Sequence, residues 1–172
     1  MPFIAKKISA GAHTSHPAEQ TAGDLGARAP EKVVTVLAIS PVADDHTFLR
    51  NIFSHSNWQL DNARTWQEAL VRLGRHRTPV VICETELPDA SWQDVLSGLS
   101  QMTEPPVLVV SSRLADERLW AEVLNLGGYD VLTKPFDSTE VFRVISLAWL
   151  NWKSKLERSL TGPPDFAQAV GM

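Results

Sequence analysis

Apolar residues in this chain follow two rhythms that take turns. Short unbroken runs such as VVTVLAI, VVICE and VLVV are too brief for helices. Without polar alternation they read as strands buried on both faces of a parallel sheet. Between them, apolar positions recur at helical spacing. The pattern predicts a strand over 32–40, then a helix over 46–56. That helix sets Phe48, Leu49, Ile52 and Phe53 on one face, with Asp44 or Asp45 as its cap. A short strand over 58–63 follows, then a helix capped by Thr65 and ending near Leu73-Gly74. Its Trp66, Ala69, Leu70 and Leu73 are spaced for the core. Next come a strand over 78–84, a helix over 91–99 opened by Ser91, and a strand over 106–111. A helix over 115–126 stops at Gly127-Gly128, a short strand covers 130–133, and a last helix runs from 138 to about 158. Five strand–helix units in that order predict an α/β fold, a doubly wound five-stranded parallel sheet with right-handed crossovers.

Three strands end on chemistry. VVICE ends on Glu84, VLVVS on Ser111, and DVLTKP carries Lys134 before Pro135. Ligands of open α/β sheets bind beyond the carboxyl ends of the strands. An acid, a hydroxyl and an ammonium are therefore expected to converge on one crevice, with Lys134 the natural partner for Glu84. Pro135 is the candidate for a cis peptide.

ICETELPD, VLVVSS and LTKPF, in that order, resemble the receiver domain of bacterial two-component response regulators. The resemblance covers roughly Val33 to Lys155 and implies a flavodoxin-like strand order of 2-1-3-4-5. It places Glu84 at the phosphoacceptor position, Ser111 as the switch hydroxyl, and Lys134 as the lysine that contacts the acceptor carboxylate. It further implies a divalent ion, usually Mg²⁺, held by an acidic pair, the acceptor and a backbone carbonyl.

Three departures bear on that chemistry. Glu84 replaces the family's aspartate. VLAIS runs into Ser40 and Pro41, so Asp44 and Asp45 arrive late for the acidic pair. Val131 stands where an aromatic is usual, with Tyr129 two residues further back. Glutamate carries its carboxylate roughly 1–1.5 Å further out than aspartate, and a shift of about 1 Å in a reacting group can cost a hundredfold. The expectation is a receiver that is not efficiently phosphorylated, with a Glu84–Lys134 pair either fixing one state or surviving as an inert ion pair. A phosphorylatable, Mg²⁺-dependent receiver is the alternative, and a flavodoxin-like enzyme or nucleotide binder a distant one. No cofactor is required. For Asp44 and Asp45, helix capping is weighed above a weak ion site, and Glu86 is a remote helper.

Composition narrows the partners. Of 172 residues, 44% are hydrophobic and 21% charged, ordinary for globular material. A net charge of −4 argues against nonspecific nucleic-acid binding. Cys83, the one cysteine, lies in a predicted buried strand and reads as a small core residue. No run is long enough to cross a bilayer, and the N-terminus lacks a signal-peptide core, so a cytoplasmic protein is expected. Residues 1–31 read as a flexible arm, 32–158 as the domain and 159–172 as a flexible tail broken by Gly162-Pro163-Pro164. His13 and His16, and His46 and His55 flanking the first helix, lack ligand spacing and read as solvated. No catalytic triad order and no GxxxxGK[ST] loop is present.

The last helix carries more apolar surface than one core stripe needs. Val141, Phe142, Val144, Ile145, Ala148, Trp149, Trp152 and Leu156 span an arc of roughly 160° on a helical wheel, and Leu147 and Leu150 lie outside it. At about 30 Å the helix outruns strands of about 20 Å. Its end is therefore expected to overhang the sheet and expose Trp152 and Leu156, making Trp149, Trp152 and Leu156 a contact surface. Trp66 and Trp92 are expected in the core. No output domain or DNA-binding helix-turn-helix is expected after the domain. The partners expected are a histidine kinase or output protein, or a second copy of the chain through the last helix, with no nucleic acid and no membrane.

Overall fold

Strand β1 (Val34–Ile39) opens the described region, residues 34–161 of a computed structural model. The predicted arm (1–31) and most of the predicted tail lie outside those residues, as do His13 and His16. Helix α1 (Ala43–Phe53), β2 (Trp58–Ala63), α2 (Trp66–Leu73), β3 (Val80–Glu84) and α3 (Trp92–Ser100) follow. The chain continues through β4 (Val107–Ser112), α4 (Glu117–Leu126), β5 (Asp130–Thr133) and α5 (Ser138–Thr161). All strand pairs are parallel, and the order is β2-β1-β3-β4-β5. This is the flavodoxin-like doubly wound sheet that the alternation and the resemblance predict.

Strand alternation divides the core into two layers. Val36, Ala38, Val80, Ile82, Val107, Val109 and Leu132 face α1 and α5. Leu37, Ile39, Val81, Cys83, Leu108, Val110 and Val131 face α2, α3 and α4. Helix ends use the signals visible in the sequence. Thr65 accepts from the Glu68 N–H, Ser91 and Asp94 form a reciprocal capping box, and Asp116 accepts from the Leu119 N–H. Gly127 ends α4 at φ 105°, a left-handed conformation that favours a residue without Cβ.

Several expectations need correction. Helix α1 begins at Ala43, so Asp44 and Asp45 lie in its first turn and neither is the cap; the cap residue is Val42, whose side chain makes no capping bond. The Ser40 hydroxyl accepts the Val42 N–H instead, at 3.1 Å. Phe48 and Leu70 are exposed rather than core, because Leu49 with Phe53 and Ala69 already fill the inward stripes. Helix α5 continues to Thr161, so residues 159–161 belong to the helix and not to a tail. His46 is buried, not solvated, whereas His55 is exposed.

The predicted exposure of Trp152 is also wrong. Trp152 is 8% exposed and belongs to the α1/α5 core layer. Trp149 and Leu156 are half-buried against the same layer, and Trp149 meets Trp58 edge-on at 6.0 Å. Arg77, in the loop before β3, lies over the Trp152 ring, cover that strand length alone does not include. The exposed apolar residues of α5 are Leu147, Leu150 and Leu160.

Candidate functional site at the carboxyl ends of the strands

Parallel register sets the site. Glu84, the last residue of β3, stands opposite Ser111 of β4. Both share the sheet face of Ile82 and Val109, the side covered by α1 and α5. Lys134 follows β5, its backbone N–H bonds the Ser112 carbonyl at 3.0 Å, and the Lys134–Pro135 peptide is cis. Ser112 points its hydroxyl elsewhere, accepting the Leu114 N–H at 3.0 Å. Between the two adjacent serines, Ser111 is thus the one beside the carboxylate.

Lys134 is the centre of the arrangement. Its side chain is 4% exposed, and its ammonium contacts both Glu84 Oε2 and Asp45 Oδ2. The two carboxylates come from α1 and β3, so the lysine ties three segments together. Further bonds fix both acids. The Ser40 hydroxyl donates to Asp45 Oδ2 at 2.5 Å. Glu84 Oε1 accepts from both the N–H and the hydroxyl of Thr85, each at 2.8 Å. Buried charges survive only when paired and hydrogen-bonded, and here they are. Phe136 places its ring 5.7 Å from the ammonium.

An open cavity of about 310 Å³ fronts this network, bordered by Asp44, Asp45, Phe48, Arg113, Lys134 and Phe136. Asp44 is exposed and Asp45 is buried, so the pair splits, one acid at the rim and one in the network. Glu86 is exposed and bridges to Ser91. Among the described residues, no three His, Cys, Asp or Glu side chains gather as a metal site. Mg²⁺ demands near-octahedral oxygen ligands. The facing oxygens of Asp45 and Glu84 are taken by a lysine ammonium, so this arrangement does not fit the ion. Sequence reasoning passed over Ser40 and Thr85. Ser40 carried the same signal as Glu84, a polar residue closing an apolar run; Thr85 carried none. The Cys83 thiol beneath the site is pushed up well beyond its ordinary range by burial, and then by the adjacent Glu84 charge.

Similarity to known proteins agrees with this layout. The family model of the response regulator receiver domain matches residues 41–146. The probable transcriptional regulatory protein TcrX of Mycobacterium tuberculosis is 36% identical over 119 residues, which are 66% of this chain and 49% of that protein. The transcriptional regulatory protein KdpE of the same species is 39% identical over 83 residues, 48% of this chain and 36% of KdpE. The chain thus spans about half or less of the length of these curated relatives. Among solved structures, the signal receiver domain of an HD domain-containing protein from Pseudomonas fluorescens Pf-5 superposes with a TM-score of 0.68 at 23% identity, covering 78% of this chain and 99% of that one. The receiver domain of a putative Luxo repressor protein from Vibrio parahaemolyticus gives a TM-score of 0.66 at 20% identity, covering 76% and 98%. These two similarities concern the fold.

Proposed function

The chain belongs to the response regulator receiver family, and we propose that within two-component signalling it is an atypical receiver, working through partner proteins and held in one state by its own lysine. The observation that carries this reading is the buried Lys134 ammonium between Asp45 and Glu84. Removing either partner of such a pair leaves an uncompensated buried charge at a cost of about 3–5 kcal/mol, so the arrangement resists rearrangement. Glu84 reaches the lysine directly, and Thr85 fixes its other oxygen. An acceptor carboxylate pinned at both oxygens, one methylene further out than aspartate, is badly placed for in-line attack on a phosphodonor.

The test is intact mass after incubation with a small acyl-phosphate donor and Mg²⁺, for the parent and for Glu84→Asp and Glu84→Gln. No labile adduct is expected on the parent. A labile adduct on the parent that is absent from Glu84→Gln overturns the reading and makes this a working phosphoacceptor.

The contact surface for a partner is the outer face of α4 and α5. Trp120, Leu124 and Leu126 are exposed on α4 and Leu147 and Leu150 on α5, two helices that pack beside the edge strand β5 from opposite sheet faces, and exposed apolar residues gathered at such an edge mark contact sites. A histidine kinase or output protein, or a second copy of the chain, is the kind of partner this face suits. Leu147 and Leu150 take the role that the sequence suggested for Trp152.

A further inference from the structure

A cavity of about 390 Å³ opens at the amino ends of β4 and β5, the opposite edge of the sheet from Glu84 and Lys134. Its apolar lining includes Leu99 of α3, Tyr129 just before β5, and Trp152 and Leu156 of α5. Leu99 and Trp152 are buried, Tyr129 and Leu156 only half-buried. Such a volume lies in the range of about 300–1,000 Å³ over which clefts bury a ligand group. Lys155 and Glu104 are exposed among the lining residues, and Glu104 already pairs with Arg77 at 2.7 Å.

The chain itself leaves the described region at this cavity. Ser159 lines it, and α5 is described to Thr161, two residues on and roughly 3 Å along the helix axis. Residues 162–172, GPPDFAQAVGM, lie outside the described residues, and their order is informative. Glycine is the residue type that most readily reverses a chain after a helix. Pro163 and Pro164 cannot continue one. Asp165 and Phe166 come next, an acid and the one aromatic of the segment. From Thr161 to Phe166 the chain can reach about 17 Å at full extension.

We propose that this cavity is the docking site of the chain's own segment 162–172, with the Phe166 ring seated among Leu99, Tyr129, Trp152 and Leu156 and the Asp165 carboxylate facing Lys155. The match has two halves. An open apolar lining is offered an aromatic ring, and an exposed ammonium is offered a carboxylate. Connection supplies the rest. A segment tethered by a few residues is present at an effective concentration of about millimolar, so a contact too weak to hold a separate peptide is occupied within one chain. Glu84 and Lys134 take no part in this contact, which closes the other end of the domain.

The experiment compares ¹⁵N spectra of the full chain and of its Phe166→Ser variant. Shifts are expected at the Gly127, Gly128 and Tyr129 amides and at the Trp152 indole N–H, with the rest of the domain unmoved. In the parent, order parameters of the 165–167 amides are expected above about 0.6, the value below which a backbone is flexible. Asp165→Lys is expected to move the cavity signals part of the way, and Asp165→Lys with Lys155→Glu to return them. Docking within one chain leaves the parent spectrum unchanged on tenfold dilution. Cavity signals that do not move in Phe166→Ser, or order parameters below about 0.6, overturn the proposal. So does a parent spectrum that approaches that of Phe166→Ser on dilution, which assigns the cavity to the segment of a second copy.

Discussion

The guanidinium of Arg77 lies 4.8 Å from the ring centroid of Trp152, closing the loop before β3 over a tryptophan in the second half of α5. That contact helps cover Trp152, which the sequence placed on an exposed helix end. It also separates two roles that the sequence merged, packing at Trp152 and surface exposure at Leu150.

Trp152→Ala should therefore act on stability. Truncating a buried tryptophan typically costs about 3–5 kcal/mol, and Arg77→Ala, which removes a cation–π contact at the surface, about 0.5–1 kcal/mol. Urea unfolding followed by far-UV circular dichroism measures both. A Trp152→Ala cost below that of Arg77→Ala would mean that the tryptophan does not pack as described.

Leu150→Glu should do the opposite, leaving the urea midpoint within about 0.5 kcal/mol of the parent, as exposed substitutions do. If the α4/α5 face pairs two copies, light scattering should show a lower mass for this variant than for the parent. A monomeric parent removes the second copy from the proposed partners and leaves a different protein.

Gly98 is tested by the smallest possible change. A Cβ built at this position falls 2.4 Å from Cζ2 of Trp66, a packed indole of α2. Alanine is favoured over glycine in a helix interior by about 1 kcal/mol, yet overpacking costs about 1–3 kcal/mol. Gly98→Ala should therefore be net destabilising, and Gly98→Ala with Trp66→Leu should recover part of the loss in the same unfolding assay. A stabilised single variant would show that the indole moves aside freely.

The sequence made the strands and the α5 stripe legible because parallel strands buried on both faces leave unbroken apolar runs, and a core helix leaves a 3.6-residue period; the strand order came from the family resemblance, since the alternation alone does not fix it. The convergence of Glu84, Ser111 and Lys134 was legible for the same reason, since each closes such a run. Asp45 was not. Its place in the network depends on Ser40 turning the chain so that α1 starts early, and no local pattern announces that. His46 was misread because a lone histidine carries no sign of whether a carbonyl such as that of Ser40 waits across the turn. Trp152 was misread because strand length alone says nothing of the loops that carry Arg77.

Cys83 gives a pH prediction with a definite sign. Its thiol is raised above the ordinary value of 9.0 by burial and by Glu84. The unfolded chain ionises the thiol near that ordinary value, whereas the folded chain does not. The stability this group contributes is complete below pH 9 and declines as the pH rises further, by up to about 1.4 kcal/mol per pH unit. Cys83→Ala should lose stability at neutral pH through the missing sulfur but show a flatter decline above pH 9. A thiol reagent at pH 8 should label the parent only as fast as it unfolds; immediate labelling of the native protein would contradict the burial.

Lys134→Met is the sharpest probe of the site. It keeps the length of the side chain and removes the ammonium, leaving Asp45 and Glu84 to face each other without a cation. At pH 7 the loss should be about 3 kcal/mol, in the range for a broken buried ion pair. The pH dependence distinguishes this cause from poor packing. Two carboxylates forced together hold a proton more tightly folded than unfolded, so the variant should regain stability on acidification from pH 7 toward 5. Adding Glu84→Gln should restore stability at pH 7 by removing one of the two charges. Parallel pH profiles for parent and Lys134→Met would show that the ammonium does not hold the two acids together, and would remove the basis for a receiver locked by its own lysine.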